Sequence, residues 1–519
     1  MDPTKLQRLR LVINENLRVQ RAGADRAPYI DVSNVISDVS ARQNHAVFGR
    51  RGCGKTLLLH DSARRLPPEI RTVYLNCEDF KKHSFPNVLI EILDGLFAEL
   101  QKQLPGWFGR KRRSREVIGQ IRQQLSSLRA KADQQDTEIR EAEAAEALLT
   151  QRDELGVGAS VRVALSDETN DAWRRETERH YRLSEDKVRE LDMWLPRLKG
   201  QIREFFDLST KVKAVFLQID DFYHLARADQ PLVMDYIHRL CKDLPLYFKI
   251  ATLRHASTLY ADRFGQPLGA QERHDYQPIS IDFTFSDFRR TVDQNRMIFH
   301  EFGKLARVDT SEIDGLFKGE GFERLVLAGG GVPRDCLSLF LEVLESVQSP
   351  SGDGRIGKDD VRISSRANFE RRIEELKQDS EGREQNILIR GIYVLRQFCI
   401  EQYSNVLLVS EATLQQNDRV RSLLYRLLDY RIIHSAGSAL THKSRSGTYH
   451  AFVIDIGCYA HMRKLMGRFN EIDLANPEAR EQMRSGPVLD ARAFGSLWEH
   501  VPSDVEAALK SQDEADERL

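Results

Sequence analysis

The chain has 519 residues, enough for roughly two to four domains. Its formal net charge is −1, which excludes a general electrostatic attraction to nucleic acid and leaves only local basic patches for that purpose. The six cysteines are scattered without a C-x-x-C pair, which argues against structural zinc and favours a reducing compartment. No segment is apolar enough for a signal peptide or a membrane helix, so the sequence predicts a cytoplasmic location and no membrane partner.

Residues 1–44 are predicted to form a mixed lead-in, and a buried strand is expected at 45–48. A glycine-rich stretch follows at once and fills the G-x-x-x-x-G-K-[ST] spacing. Glycines let backbone N–H groups converge on phosphate oxygens, Lys55 adds a positive charge, and Thr56 offers a hydroxyl to Mg²⁺. An accidental glycine turn is the alternative, but the strand before the loop and the helix after it favour a phosphate-binding loop. The candidate nucleotide-binding residues are Gly49, Arg50, Arg51, Gly52, Cys53, Gly54, Lys55, Thr56 and Leu57.

Strands and helices alternate after this loop, which is typical of a parallel sheet covered by helices on both faces. We therefore predict an α/β core over 45–282. Its predicted elements, in chain order, are helix 55–65, strand 72–75, helix 86–104, strand 214–219, helix 230–242 and strand 246–252.

The stretch 107–203 leaves this alternation and is predicted to be an inserted, coiled-coil-like helical hairpin. Its second helix is expected over 171–195, with an end at Pro196, and its tip over 156–163 is expected to be extended. The hairpin is either an arm that binds a separate effector protein or a solvated elaboration of the core. The basic run 109–115 at its root is either a grip on nucleic acid phosphates or a solvated surface.

Polar residues at the ends of two later strands extend the candidate site. Asp220 is placed to hold Mg²⁺ through water and Asp221 to polarise the attacking water, because ligands bind at the carboxyl ends of parallel strands. A turn with two acidic residues is the simpler alternative. Thr252, Arg254 and His255 follow the next strand, and each is a candidate sensor of the γ-phosphate.

Residues 283–346 are predicted to form a helical lid, followed by a linker over 347–380 whose Ser-Pro-Gly composition is typical of a connection. Arg334 begins a helix of this lid after a Gly-Pro turn, from where it can reach back to a nucleotide phosphate. An ordinary turn with a surface arginine is the alternative.

The segment 381–470 shows three helices, a strand, a loop and a strand, which is a winged helix in outline, and a polar tail over 471–519 follows. Four cations suit double-stranded DNA: Arg419 and Arg426 on the third helix for a major groove, and Lys443 and Arg445 in the wing for phosphates. Many winged helices bind proteins instead, and that alternative stays open.

The phosphate loop, the aspartate pair, a polar sensor and an arginine in a helical lid together resemble the AAA+ ATPases, in particular the origin-recognition-complex or initiator-like branch and its bacterial relatives. The resemblance covers 30–346 apart from the hairpin and extends in outline to the winged helix. It implies ATP and Mg²⁺ bound at the subunit interface of a homo-oligomer and completed by an arginine of a neighbour, for which Arg263 is the candidate and Arg273 a weaker one. Asp221 stands where the family usually has glutamate, which favours slow hydrolysis.

Two functions follow from these motifs and this resemblance. The first is an ATPase that couples nucleotide state to oligomer assembly and DNA binding and recruits an effector protein; bacterial relatives of this branch often lie beside effectors in mobile-element or antiphage systems. The second is a signal-transduction NTPase switch of the STAND kind, which acts on protein partners without binding DNA. A metabolic P-loop kinase is a weaker third function, because the lid, the hairpin and the winged helix have no use in such an enzyme.

Overall fold

A computed structural model describes residues 2–17, 27–81, 83, 85–104, 108–130, 167–263, 266–348, 354–380, 382–462, 468–502 and 504–514. The chain forms two units. The sheet unit comprises Asn34–Phe48 and Leu58–Ser280, and the loop unit comprises Met1–Ser33, Gly49–Leu57 and Ile281–Leu519. The extended tip predicted at 156–163 lies outside the described residues.

The helices and strands of the described residues cover most of the chain, and no helix among them is both long and apolar enough to cross a membrane. The helices are α1 (Pro3–Asn16), α2 (Val35–Val39), α3 (Lys55–Arg65), α4 (Asn87–Lys102), α5 (Gly109–Ala130), α6 (Asp167–Leu208), α7 (Gln230–Cys241), α8 (Phe288–Leu305), α9 (Thr310–Asp314), α10 (Gly321–Ala328), α11 (Pro333–Val347), α12 (Lys358–Asp379), α13 (Gly382–Glu401), α14 (Glu411–Gln416), α15 (Asp418–Asp429), α16 (Ala479–Met483), α17 (Ala491–Glu499) and α18 (Val505–Glu514). The strands are β1 (His45–Phe48), β2 (Ile70–Asn76), β3 (Ala214–Asp220), β4 (Leu246–Thr252), β5 (Tyr260–Arg263), β6 (Gln266–Gly269), β7 (Gln277–Ser280), β8 (Val406–Ser410), β9 (Ile433–Thr441) and β10 (Thr448–Ile454).

The sheet unit is built on a five-stranded sheet with the order β2-β3-β4-β1-β7, in which every pairing is parallel. β1 and β3 are buried along their whole length, as expected for strands covered on both faces. Their apolar side chains pack with those of α4 and α7 in one core. The predicted α/β fold is therefore confirmed. β7 and the antiparallel hairpin of β5 and β6 have no clear sequence signal, because they are short and largely polar.

The insertion is helical on both sides, with α5 before the undescribed segment and α6 after it. The helix α6 continues through Pro196, so the predicted helix end at this residue is wrong. A proline inside a helix costs about 3 kcal/mol. Leu191, Leu198 and Phe205 are buried on both sides of the proline, and burial of such side chains stabilises by about 1.5–3 kcal/mol each. The packing therefore outweighs the proline.

The predicted helical lid is a group of helices in the loop unit, with Phe299 packed edge-on against Phe322 and Phe340 at centroid distances of 5.3 and 5.2 Å. The predicted linker differs, because most of it is the helix α12. The small residues that indicate a linker end at Gly354, and the following residues form a helix whose Phe369 side chain is buried in the core of the loop unit.

The C-terminal module, residues 382–454, consists of α13, β8, α14, α15, β9 and β10 in that order. Its three strands pair antiparallel with the order β8-β10-β9. β8 is not among the predicted elements, because its apolar run is short and lies between two helices. The predicted polar tail contains α16, α17 and α18, and Phe494 and Leu509 from this region are buried in the core of the loop unit. We call residues 479–514 the C-terminal strap.

Candidate nucleotide-binding site

The phosphate loop, residues 49–56, connects β1 to α3. Gly52 and Gly54 have φ angles of 83° and 92°, in the left-handed region that glycine adopts without a steric cost. A Cβ atom at Gly52 would lie 2.8 Å from side-chain atoms of both Val332 and Arg334. Glycine is therefore required at this position for its backbone angle and for the close packing of the loop.

Lys55 is buried at the start of α3. Its Nζ atom donates to the carbonyl oxygens of Gly49 at 2.8 Å and of Arg50 at 3.3 Å. The ammonium group is thus held by the loop's own backbone, at the amino end of a helix, where an anion is favoured. Thr56 follows in the first turn of the same helix and is half-buried. A glycine-shaped loop with a lysine held in it fits the phosphates of a nucleotide.

The Arg50 side chain binds within the loop unit. It is buried, and its Nε and Nη2 atoms donate to the two carboxylate oxygens of Asp282 at 2.6 and 2.8 Å. Burial opposes ionisation of Asp282, but the charge and hydrogen bonds of Arg50 outweigh burial and lower the pKa of this carboxyl. Burial and the nearby carboxylate raise the pKa of the Cys53 thiol, so this cysteine stays protonated at neutral pH. The Arg50 side chain therefore holds the loop in position and does not serve as a phosphate ligand.

Arg51 is likewise tied to the loop unit. Its guanidinium group pairs with Asp379 at 2.7 Å, and its carbonyl oxygen accepts a hydrogen bond from Arg431 at 3.3 Å. The two arginine side chains predicted to bind nucleotide are therefore engaged by carboxylates of the same unit, and we expect their contribution to a nucleotide to come from the backbone.

Arg334 lies beside the phosphate loop, as the sequence analysis expects. Its backbone N–H donates to the Gly52 carbonyl at 3.4 Å. Its guanidinium group lies 3.6 Å from Glu375, and 35% of the side chain is exposed. A half-exposed cation next to the loop can exchange this carboxylate for a phosphate oxygen.

Asp220 is the last residue of β3 in the sheet unit, and it is fully buried. The Tyr74 hydroxyl donates to Oδ2 at 2.8 Å, and the N–H of Asp221 donates to Oδ1 at 2.9 Å. These two donors fix the orientation of the carboxylate at the carboxyl edge of the sheet. Carboxylate oxygens are among the ligands that Mg²⁺ prefers, so the Asp220 side chain is a chemically suitable donor.

Asp221 has a φ angle of 51° and belongs to a group of possible metal ligands with Glu78 and His224. The ligand atoms of these three residues lie within 4.8 Å of one another. Glu78 and His224 are not among the predicted site residues, because they come from turns after two different strands.

The candidate sensors at the end of β4 have different surroundings. Thr252 is buried and hydrogen-bonded to the Ser257 hydroxyl. Burial, with a smaller effect of the neighbouring Arg254 charge, lowers the pKa of His255 to about 4, so the imidazole is neutral at physiological pH. A neutral imidazole and a hydroxyl can sense a phosphate only by hydrogen bonding.

Arg254 lies over the Phe48 ring, 4.4 Å from its centroid, and pairs with Glu272 at 2.8 Å. It lines a cavity of about 380 Å³ at the ends of β1 and β4, together with Tyr260 and Tyr276. A guanidinium over an aromatic ring is stabilised by the ring quadrupole. Arg254 is thus positioned beside the last residue before the phosphate loop.

The two candidate arginines for a neighbouring site lie in the connection between β4 and β7. Arg263 is the last residue of β5 in its hairpin with β6. Arg273 is exposed, has a φ angle of 65° and donates its backbone N–H to the Tyr276 carbonyl at 2.8 Å.

Several solved structures resemble this chain, and one of them is a distant Walker-type ATPase. No protein-family model matches the chain, and no curated protein matches it. The chain is similar to a Walker-type ATPase of Pyrococcus abyssi at 12% identity and a TM-score of 0.35, over 82% of this chain and 93% of that chain. We base the assignment of a P-loop ATPase core on the parallel sheet and on the geometry of the phosphate loop.

A buried ionic network, which the sequence analysis does not predict, lies next to the loop arginines. Arg431 donates to both carboxylate oxygens of Asp335 at 2.9 and 3.0 Å, and Arg372 donates to the same carboxylate at 3.2 Å and also pairs with Asp455. Burial opposes ionisation of Asp335, but the charges of Arg431 and Arg372 outweigh burial and lower its pKa. The network joins α11 and α12 to the C-terminal module.

His434 links Arg50 of the phosphate loop to this network. Its Nδ1 atom accepts a hydrogen bond from Arg50 at 3.2 Å, and its Nε2 atom lies 3.1 Å from Asp455. Arginine has no acceptor, so Nδ1 must be unprotonated and Nε2 must donate. Burial lowers the pKa of His434 to about 4, which maintains this neutral tautomer. The only sign of this buried histidine in the sequence is that the apolar pair Ile432 and Ile433 has a charged or polar residue on either side.

Two of the four cations predicted to bind DNA are on the helix α15. Arg426 pairs with Glu384, and only 16% of its side chain is exposed. Arg419 lies with its guanidinium over the Trp498 ring of α17, 4.8 Å from the centroid. The helix therefore does not present these two cations as an open basic face.

The other two cations are in the wing between β9 and β10. Lys443 pairs with Glu481 at 3.2 Å, and Arg445 lies 4.0 Å from Asp490. Both cations are about half-exposed.

Proposed function

We propose that this protein is an ATPase of the AAA+ initiator-like kind that binds ATP with Mg²⁺, hydrolyses it slowly and transmits its nucleotide state to a winged-helix module. The observation that carries the proposal is the buried chain of contacts from Arg50 through His434 to Asp455. It connects the loop that would hold the phosphates to the C-terminal module.

The residues of the phosphate loop perform the binding. Thr56 would hold Mg²⁺ through its hydroxyl and Asp220 would hold it through water, and the ion would supply positive charge that neutralises the β- and γ-phosphates. Lys55 would exchange loop carbonyls for phosphate oxygens, and Arg334 would add a second positive charge from the helix α11. Asp221 would polarise the attacking water. Its side chain is one methylene shorter than glutamate, so we expect slow hydrolysis.

Coupling between nucleotide binding and the C-terminal module follows from the contacts that hold the loop arginines. Phosphate binding moves Lys55 off the carbonyl of Arg50, the residue that binds Asp282 and His434 through its side chain. Buried, tightly packed contacts change between discrete arrangements and do not deform continuously. A ligand shifts such an equilibrium when it favours one arrangement. We therefore infer that ATP selects one position of β9 relative to the phosphate loop.

The downstream steps of the proposal are assembly, DNA binding and recruitment. Arg263, on a hairpin, would complete the ATP site of a neighbouring subunit in a homo-oligomer. The C-terminal module would bind double-stranded DNA through Arg419, Arg426, Lys443 and Arg445. The hairpin at 107–203 would recruit a separate effector protein, with α5 and α6 as its two described helices.

The substitution Lys55→Ala tests the nucleotide site. It should abolish ATP binding in equilibrium titration, because it removes the charge that holds the β- and γ-phosphates. Amide hydrogen exchange in β9 should change with ATP in the natural protein and not in the variant. The control is Lys102→Ala, which removes an exposed lysine at the end of α4. Unchanged ATP affinity in Lys55→Ala would overturn the proposal.

The second candidate function is the signal-transduction switch that acts on proteins without DNA. The engagement of Arg419 and Arg426 within the chain supports it, because a module whose cations are already paired has less need of a phosphate partner. Salt-dependent duplex binding separates the two: a steep decrease of affinity with salt indicates phosphate contacts, and no binding at low salt indicates the protein switch.

A further inference from the structure

The C-terminal strap engages the wing of the C-terminal module by charge. Its Glu481 and Asp490 carboxylates lie beside the two wing cations Lys443 and Arg445, at 3.2 and 4.0 Å. Negatively charged oxygens next to lysine and arginine reproduce the contacts that DNA phosphates make. Two acidic residues of one segment therefore lie against both wing cations that the DNA-binding proposal uses.

The strap engages the helix α15 by ring stacking. Two guanidinium groups lie over the Trp498 ring, that of Arg419 at 4.8 Å from the ring centroid and that of Arg390 at 5.1 Å. Arg390 also donates to the Trp498 carbonyl at 3.3 Å. Arginine stacks on nucleobases and on aromatic side chains in the same way. The strap thus offers an aromatic ring to the helix that would enter a DNA groove.

Backbone contacts hold the first part of the strap against the sheet of the module. The N–H of Leu408 in β8 donates to the Pro487 carbonyl at 2.8 Å, and the N–H of Leu489 donates to the Leu408 carbonyl at 2.8 Å. The N–H of Lys443 donates to the Arg484 carbonyl at 2.9 Å. The strap covers the edge strand and holds its acidic residues at the wing.

The strength of these contacts suits a competitor that can be displaced. About half of each wing side chain and of its acidic partner is exposed. Exposed ion pairs are weak and are screened by salt, whereas a duplex presents many phosphates at once. A polyanion of high charge density can therefore replace the strap's two carboxylates.

We propose that Glu481, Asp490 and Trp498 of the C-terminal strap are built-in competitors of duplex DNA: they occupy Lys443, Arg445 and Arg419 until DNA displaces these three side chains, while the apolar residues of the strap stay in the core. This inference rests on the proposed DNA-binding function of the module. It also explains why these three cations contact residues of the strap and do not form an open basic surface. The chain as a whole has a net charge of −1 and so provides no general attraction to DNA.

The test is the double variant Glu481→Gln/Asp490→Asn, measured as full-length protein with a mixed-sequence duplex and without nucleotide. Asp490 caps α17 by accepting from the Ala493 N–H at 2.9 Å, and asparagine preserves such a cap. We expect affinity about tenfold higher at low salt and a salt slope steeper by about two, because two freed cations release two more counterions.

The matched control is Asp504→Asn/Glu506→Gln on α18. Asp504 caps that helix through the Ala507 N–H at 2.9 Å, and Glu506 pairs with Lys377 of α12, so the same charge is removed away from the DNA-binding face. Equal affinities of the double variant and the natural protein, or an equal gain in the control, would overturn the inference. No duplex binding by any variant also overturns it, and the nucleotide proposal then stands on ATP titration alone. Failure of the natural protein to bind ATP would overturn the nucleotide proposal and leave a strap-dependent DNA affinity measurable.

Discussion

The loop unit contains ion pairs of the same chemistry in two different environments. In the network beside the phosphate loop, Arg372 and Asp455 are 2% and 0% exposed. In the contact between the wing and the strap, Arg445 and Asp490 are 52% and 51% exposed. The residue types are the same, and the difference is the water that surrounds them.

Burial determines what each set of charges can do. A buried charge has lost its hydration, so removal of its partner leaves a charge that nothing stabilises. The buried network is therefore suited to transmit a movement from the loop to the module as a unit. An exposed pair loses little when it separates, because water solvates both partners, so the carboxylates of the strap are suited to exchange with another anion.

The largest expected effect is in the buried set. Arg372→Met should lower the free energy of unfolding by about 3–5 kcal/mol in urea titration, because it leaves Asp455 and Asp335 without one of their cations. The control is Arg366→Met on the same helix, which removes a half-exposed pair with Glu370 at 3.1 Å and should change stability by less than about 0.5 kcal/mol. Equal losses in the free energy of unfolding for the two variants would contradict the distinction between the buried and the exposed ion pairs.

An intermediate effect is expected from the pH dependence of His434. Its pKa in the folded protein is about 4, below the ordinary value of about 6.5 in the unfolded chain. Between these values the unfolded state binds the extra proton, so stability rises with pH and falls on acidification. Between pH 6.5 and pH 5 this residue should account for a loss of about 1.5 kcal/mol in the free energy of unfolding.

The variant His434→Gln isolates this contribution. The glutamine amide can accept from Arg50 and donate to Asp455 as the neutral imidazole does, but it does not titrate. Urea unfolding at pH 5 and pH 7 should therefore show a smaller acid loss in the variant and similar stability at pH 7. An identical pH profile for both proteins would contradict the buried neutral tautomer.

The smallest effect is expected in the exposed set. Arg445→Ala should change the free energy of unfolding by no more than about 0.5 kcal/mol, because water replaces the contact with Asp490. High salt should reduce this small difference further, because it screens exposed charges. A loss similar to that of Arg372→Met would show that the contact between Arg445 and Asp490 is a fixed part of the fold and cannot be displaced.

The sequence indicates the local parts of this molecule well. The phosphate loop lies in eight consecutive residues, and its spacing alone specifies a backbone shape and a lysine at a helix start. The strands β1, β3 and β4 and the helices around them follow from apolar runs and periodicity for the same reason. Two predictions made from local signals are wrong: the helix end at Pro196, and the linker over 347–380, most of which is a helix. In both places the tertiary packing outweighs the local signal.

The tertiary structure decides the partners of the charged residues. Nothing near Arg50 in the chain indicates Asp282 or His434, which follow it by 232 and 384 positions. Likewise, the sequence presents Arg419, Lys443 and Arg445 as a DNA-binding set, and only the fold brings Trp498, Glu481 and Asp490 against them. The physical reason is that backbone shape depends on neighbouring residues, whereas the state of a charge depends on burial and on long-range partners, which exist only once the chain has folded.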